Sequence, residues 1–207
     1  MFGTPVRPPD ADLLHPYLAP AAALRWRWLG REVLHAGAFV SRAGAVLMLG
    51  DKEAGKSTTL AWLAEARSVP VLSDDLAVLR EGRVLAGPRA LDLRPTVAAD
   101  SGDLAAVLAH GEWVRHRQRL RVPLTPAPAD VVVVGLVSLE WGPSVEVVPV
   151  PFAERLARIG AQRSYPGLDG DPVALLDLAA VPMVCLRRPR APSSLPAAGR
   201  VLERLFP

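Results

Sequence analysis

Apolar and polar positions alternate in two distinct periods along this chain, dividing it into short strands and amphipathic helices. The runs HAGAFV and AVLMLG, split by SRAG, read as a β-hairpin whose turn ends at Gly44. Symmetry about residues 41–44 pairs positions whose numbers sum to 85, which sets His35 opposite Gly50. Leu60, Leu63 and Ala64 recur at helical spacing in a stretch free of proline, predicting a helix over 55–67. An apolar strand over 69–72 then runs into Ser73-Asp74-Asp75, a second short strand covers 76–80, and Glu81-Gly82 makes a turn. Residues 83–95 read as a strand followed by an irregular, proline-bounded loop, and a short helix is expected over 97–108.

Two stretches show period two. Trp26 and Trp28 alternate with Arg25 and Arg27, which predicts a short strand within 21–32. Between Trp113 and Leu124 the residues Arg115, Arg117, Arg119 and Arg121 occupy every second position, so a single strand would project all four from one face. Such a face suits phosphate charge or an acidic peptide, with an extended acceptor adding to the strand edge; its plain alternative is a solvated face. Residues 131–141 predict a long buried strand, and WGPS turns into a partner strand over 145–150. Pro151 opens a helix to Ile159, in the first turn where its missing N–H costs nothing. A helix over 171–180, a strand over 183–186 and a C-terminal helix from Leu195 follow. The sum is a single α/β domain over 21–207, led by a proline-rich segment at 1–20.

Composition narrows the function classes. With 207 residues, 50% apolar and 22% charged, the chain can bury a full core, which argues against wholesale disorder. It contains no apolar run of membrane-spanning length, and no secretory leader is evident, so a cytoplasmic protein away from membranes is expected. A net charge of +3 gives weak anion attraction rather than a nucleic-acid surface. One cysteine, Cys185, excludes an internal disulfide, and His15, His35, His110 and His116 lack zinc spacing. The tryptophans at 26, 28, 62, 113 and 141 are expected to pack in the core, with an aromatic contact surface as the alternative; a homo-oligomer is compatible with the sequence.

Charge brings in the chemistry. Of 24 basic residues only Lys52 and Lys56 are lysines, and both fall in one loop. That loop, Gly50-Asp51-Lys52-Glu53-Ala54-Gly55-Lys56-Ser57 with Thr58 following, fits GxxxxGK[ST] at every fixed position. In this pattern backbone N–H groups wrap a polyphosphate, the lysine reaches the β and γ phosphates, and the serine hydroxyl ligates magnesium. An apolar strand precedes the loop, and the helix after it turns its positive end to the same anion. A nucleoside triphosphate with Mg²⁺ is therefore the expected ligand. The helix rises about 18 Å, and the strand after it returns a similar length, so Asp74 and Asp75 come back to the phosphate end. One carboxylate there can serve the metal and the other act as general base; a simple turn cap is the alternative.

Together, LHAGAFV, GDKEAGKST and VLSDDLAVL resemble the catalytic domain of HPr kinase/phosphorylase, in particular its smaller relatives found with peptide-tailoring pathways. The resemblance is specific over 34–80 and extends more loosely to about 141. It implies a phosphoenolpyruvate-carboxykinase-like P-loop fold, with a mixed, hairpin-containing sheet flanked by helices. It further implies transfer of the terminal phosphoryl group of ATP to a serine-type hydroxyl of a peptide or small protein. In that family the histidine and the acidic pair assist proton removal, which maps onto His35, Asp74 and Asp75, while Lys56 holds phosphate. Ser57 and Asp75 are the candidate magnesium ligands, and the base remains open between Asp74 and Asp75. Asp92, in ALDLRP, is a candidate for a further acidic ligand, with pairing to Arg89 or Arg94 as the alternative. Lys52-Glu53 stands where the family commonly has Ser-Gly, and the glycine-rich segment tied to the reverse reaction has no clear copy. A nucleotide-binding accessory protein without catalysis and a kinase of a small hydroxylated metabolite are the competing functions.

Overall fold

The computed structural model describes residues 13–94, 104–114 and 118–207. A wide helical turn at Leu13–Leu18 continues into helix α1 (Ala19–Trp28), within what the sequence marks as lead-in and strand. Pro20 sits in the first turn and three alanines follow, a strongly helical start that outweighs four alternating residues. The helix also inverts the expected burial. Trp28 is 77% exposed, while Arg27 is buried with its Nη1 2.6 Å from the buried carboxylate of Glu32. Arg163 and the Asp171 N–H complete the partners of that carboxylate.

Strands β1 (Glu32–Leu34), β2 (Gly37–Val40) and β3 (Ala45–Leu49) lead to helix α2 (Lys56–Arg67), then β4 (Val71–Ser73), β5 (Ala77–Arg80) and β6 (Arg83–Leu85). β2 and β3 form the hairpin with Gly37 facing Met48 and Val40 facing Ala45, the expected register. The ladder stops there: the chain bends at His35-Ala36, and β1 pairs instead with β5. Glu81 and Gly82, both at positive φ, make the tight turn between β5 and β6.

The long strand β10 (Asp130–Trp141) lies at the centre of a mixed sheet ordered β1-β5-β6-β10-β3-β2-β4. β12 (Met183–Arg188) joins β10 in parallel, and β11 (Glu146–Pro149) pairs antiparallel with β12. The strand after WGPS therefore partners β12 rather than β10. Because β3 also runs parallel to β10, the three strands β3, β10 and β12 all end at one edge, at Leu49, Trp141 and Arg188. Helices α4 (Phe152–Gly160), preceded by Pro151, α5 (Pro172–Ala180), capped by Asp171, and α6 (Leu195–Leu205) complete the described chain.

A second, three-stranded sheet holds β7 (Ala90–Leu93), β9 (Arg119–Pro123) and β8 (Glu112–Val114) in that order, with a short helix α3 (Ala105–Ala109) between β7 and β8 in the chain. Part of the segment read as loop is thus a strand, and residues 97–103 of the expected helix lie outside the described residues. The single arginine strand is not formed. Val114 faces Arg119 and Glu112 faces Arg121, so the chain reverses between β8 and β9. Arg115 and Arg117 lie outside the described residues.

Two apolar clusters flank the large sheet. One joins Phe39, Val46, Met48, Leu60 and Trp62 to Leu91, Leu93 and Val122 of the small sheet and to Leu202 of α6. The other packs Leu34, Leu47, Leu49 and Leu72 against Ile159 and Leu178. Of the tryptophans only Trp62 is fully within the core; Trp28, Trp113 and Trp141 are exposed. No described helix is long and apolar enough to cross a membrane.

Candidate functional site

The turn after β3 wraps back on itself through main-chain contacts. Ala54 N–H donates to Asp51 O at 3.1 Å, and the Lys56 ammonium donates to Gly50 O at 2.6 Å and to Asp51 O at 3.3 Å. Gly55 has φ +91 and initiates α2 with no side chain capping the helix. The first N–H groups of α2 consequently face the cleft without a side-chain acceptor from the cap residue, the arrangement that receives anions. A side chain at residue 55 is also excluded by space, since a Cβ would lie 2.6 Å from Arg188 Nη2 and 2.9 Å from Trp141 Cη2. Asp51, Lys52 and Glu53 are exposed at the apex, and Ala54 is buried beneath them.

This loop forms one wall of a cleft of about 980 Å³. Ser57, Thr58, His35, Asp75, Asp92 and Arg119 also line it, as do Trp141 and residues 190–193 from the ends of β10 and β12. His35 and Gly50 are neighbours, joined through Gln162 rather than by a strand ladder. His35 N–H donates to Gln162 O at 2.6 Å. With its amide nitrogen turned to the two carbonyls, Gln162 donates to Gly50 O at 3.1 Å and His35 O at 3.2 Å. No local sequence signal marks Gln162; the segment after α4 carries it in, through the bridge between Leu34 and Arg163.

The two aspartates differ in setting. Asp75 is half-buried and opens onto the cleft, whereas Asp74 is buried beside a small cavity of about 30 Å³ that Asp75 and Asp92 also line. Burial, then the negative charge of Asp75, pushes the Asp74 carboxyl up to about 8, against the downward pull of the Ser57 hydroxyl and the Asp92 N–H. That N–H donates to Asp74 Oδ2 at 3.3 Å, while Oδ1 has no hydrogen-bond partner within normal distance among the described residues. Burial and the nearby Lys56 ammonium hold His35 below its ordinary value despite the opposing influence of Asp75, so the imidazole is neutral at pH 7. Burial likewise lowers Lys56, with Asp75, Asp74 and Asp51 acting against it.

Asp92 pairs with neither Arg89 nor Arg94. Arg121 grips it bidentately, Nε and Nη2 each 2.8 Å from a different carboxylate oxygen. Arg89 instead donates to Leu72 O at 2.7 Å, and Arg94 pairs with Glu53. Of the arginine row, Arg119 reaches the cleft and Arg121 is buried in its pair with Asp92.

Residues at the ends of β10 and β12 add features that the periodicity did not single out. Arg188 is 2% exposed and has no carboxylate partner among the described residues; burial lowers it to about 10. Its Nη1 donates to Ser194 Oγ at 3.1 Å and Pro189 O at 3.2 Å, and its guanidinium stands 4.7 Å from the ring centre of Trp141.

No protein-family model and no curated protein matches this chain.

Proposed function

We propose that this chain is an ATP-dependent phosphotransferase that phosphorylates a serine-type hydroxyl of a peptide or small protein, in the manner of HPr kinase/phosphorylase and on a phosphoenolpyruvate-carboxykinase-like P-loop fold. One observation carries the reading. His35, the adjacent pair Lys56-Ser57, and Asp75 come from three separate places in the sequence and meet in one cleft around the uncapped start of α2.

In this reading the Gly50–Ser57 backbone, Lys56 and the α2 N-terminus hold the triphosphate. The described residues contain no cluster of three or more His, Cys, Asp or Glu side chains arranged for a metal. Magnesium at phosphate sites is bound by one or two protein oxygens together with phosphate oxygens, and Ser57 and Asp75 present oxygens of that kind. When bound, the ion would neutralise charge on the phosphate oxygens. The acceptor hydroxyl oxygen bonds to the γ-phosphorus as the β–γ bridge breaks, and ADP leaves. Its proton passes to His35, neutral at pH 7, with the Asp75 carboxylate alongside to stabilise the imidazolium. Asp74 keeps its own proton at that pH and accepts the Asp92 N–H.

Incubation of the protein with Mg²⁺, labelled ATP and serine-containing peptides tests this. Label is expected on peptide serine with the wild type and not with Lys56→Ala. Transfer surviving in Lys56→Ala, or ATP binding with no transfer to any acceptor, overturns it, and the second result points to an accessory protein. Competition by free hydroxylated metabolites would move the acceptor class from peptides to small molecules.

A further inference from the structure

We propose that Trp141, with Arg190 beside it, is the platform on which the base of a nucleoside triphosphate stacks; this rests on the reading of residues 50–57 as a phosphate loop. Ligands of parallel sheets lie across the carboxyl ends of the strands. Here β3 ends in the loop, while β10 and β12, parallel to it, end in Trp141 and in the segment carrying Arg190. The far end of the indole lies against Gly55, as the 2.9 Å approach of Cη2 to a Cβ there shows. The platform therefore adjoins the loop that would hold the phosphates.

Trp141 is held in place but not covered. Arg188 is pinned by Ser194 and Pro189 and braces the indole from within the protein. Even so the tryptophan is 37% exposed, leaving apolar aromatic surface open in a cleft otherwise lined largely by charged groups. An aromatic face of this kind stacks on any nucleobase. Arg190 is the movable member. Its side chain is 72% exposed, its guanidinium stands 5.7 Å from the indole centre, and its carboxylate contact is Glu53 at 3.6 Å. A surface pair like that holds weakly, so Arg190 can swing out to admit a base and then cover it, as guanidinium groups do on π systems. Glu53 pairs with Arg94 as well, another residue that lines the cleft.

The test is equilibrium binding of Mg-ATP and of Mg-tripolyphosphate, which lacks a base, to the full chain. Trp141→Leu keeps apolar bulk and removes the aromatic face; Trp141→Phe restores one. The wild type and Trp141→Phe are expected to bind ATP alike, and Trp141→Leu to bind it at least about fivefold more weakly. Tripolyphosphate should bind all three equally, which also reports that each is folded. Unchanged ATP affinity in Trp141→Leu, or equal losses of ATP and tripolyphosphate in it, overturns the platform. Failure of the wild type to bind either ligand overturns the phosphate loop itself, and the platform with it.

Discussion

The Lys56 ammonium donates to the Gly50 carbonyl at 2.6 Å, so the residue that leaves the loop is tied to the residue that enters it. Lys56 is only 6% exposed, and its ammonium is held by Gly50 O and Asp51 O at the edge of the cleft. A planar guanidinium is larger and directs its donors in a fixed fork. Lys56→Arg is therefore expected to lower initial rates of phosphoryl transfer from labelled ATP by about a hundredfold or more, with the charge retained. Near-normal rates would show that charge alone suffices at this position. Arginine supplies nearly all other positive charge in the chain, and this geometry accounts for a lysine here.

Gln162 supplies the second contact to Gly50 and couples it to His35. Gln162→Leu keeps similar volume and leaves both carbonyls without that donor. Gly50 O keeps its Lys56 donor, and an unmet buried polar group at His35 O costs about 1–3 kcal/mol, so urea denaturation should show a loss of that order. Because the amide also sets His35 beside the loop, the pH profile of transfer should change in Gln162→Leu. A purely structural role would reduce stability and leave the profile in place.

The elements were legible where one local pattern dominated. The β2–β3 register followed from a symmetric turn, and α2 followed from an apolar repeat after Gly55. Tertiary context overrode the rest. Arg27 is buried because Glu32 and Arg163 form a buried charge cluster around it, a relationship between positions far apart in sequence. The arginine row of 115–121 divides because β9 turns back against β8 and Asp92 takes Arg121. Of the site, the loop, His35 and the aspartates could be read from spacing. Gln162, Trp141 and Arg188 could not, since strands β10 and β12 and the segment after α4 bring them in from the other half of the chain.

Asp74 makes stability depend on pH in an unusual direction. Its carboxyl is raised to about 8 by burial and by Asp75, against about 3.9 in an unfolded chain. Between those values the folded state binds the extra proton, so stability falls as pH rises, by up to about 1.4 kcal/mol per pH unit from this group. The contribution is fully present below about pH 4 and lost as pH passes about 8. Asp74→Asn is neutral at every pH and should flatten this slope. Urea titrations from pH 5 to pH 8 check it, and parallel slopes for the two proteins would refute the assignment.

The Asp92–Arg121 pair decides what Asp92 contributes. Both side chains are 9% exposed, and the contact is bidentate. Removing one partner of a buried pair costs about 3–5 kcal/mol, whereas replacing both with apolar groups of similar size is often neutral. Arg121→Met alone should therefore destabilise the fold strongly, and Arg121→Met with Asp92→Leu should recover much of the loss in denaturation. Transfer activity of the double variant separates two roles. Asp92 also lines the cleft and offers its N–H to Asp74, and a leucine keeps that N–H while removing the carboxylate. If the carboxylate serves only to fix β7 to β9, the double variant transfers phosphate at close to the wild-type rate. If it also takes part at the phosphate end, activity stays low although stability returns, and raising the magnesium concentration should shift the remaining rate.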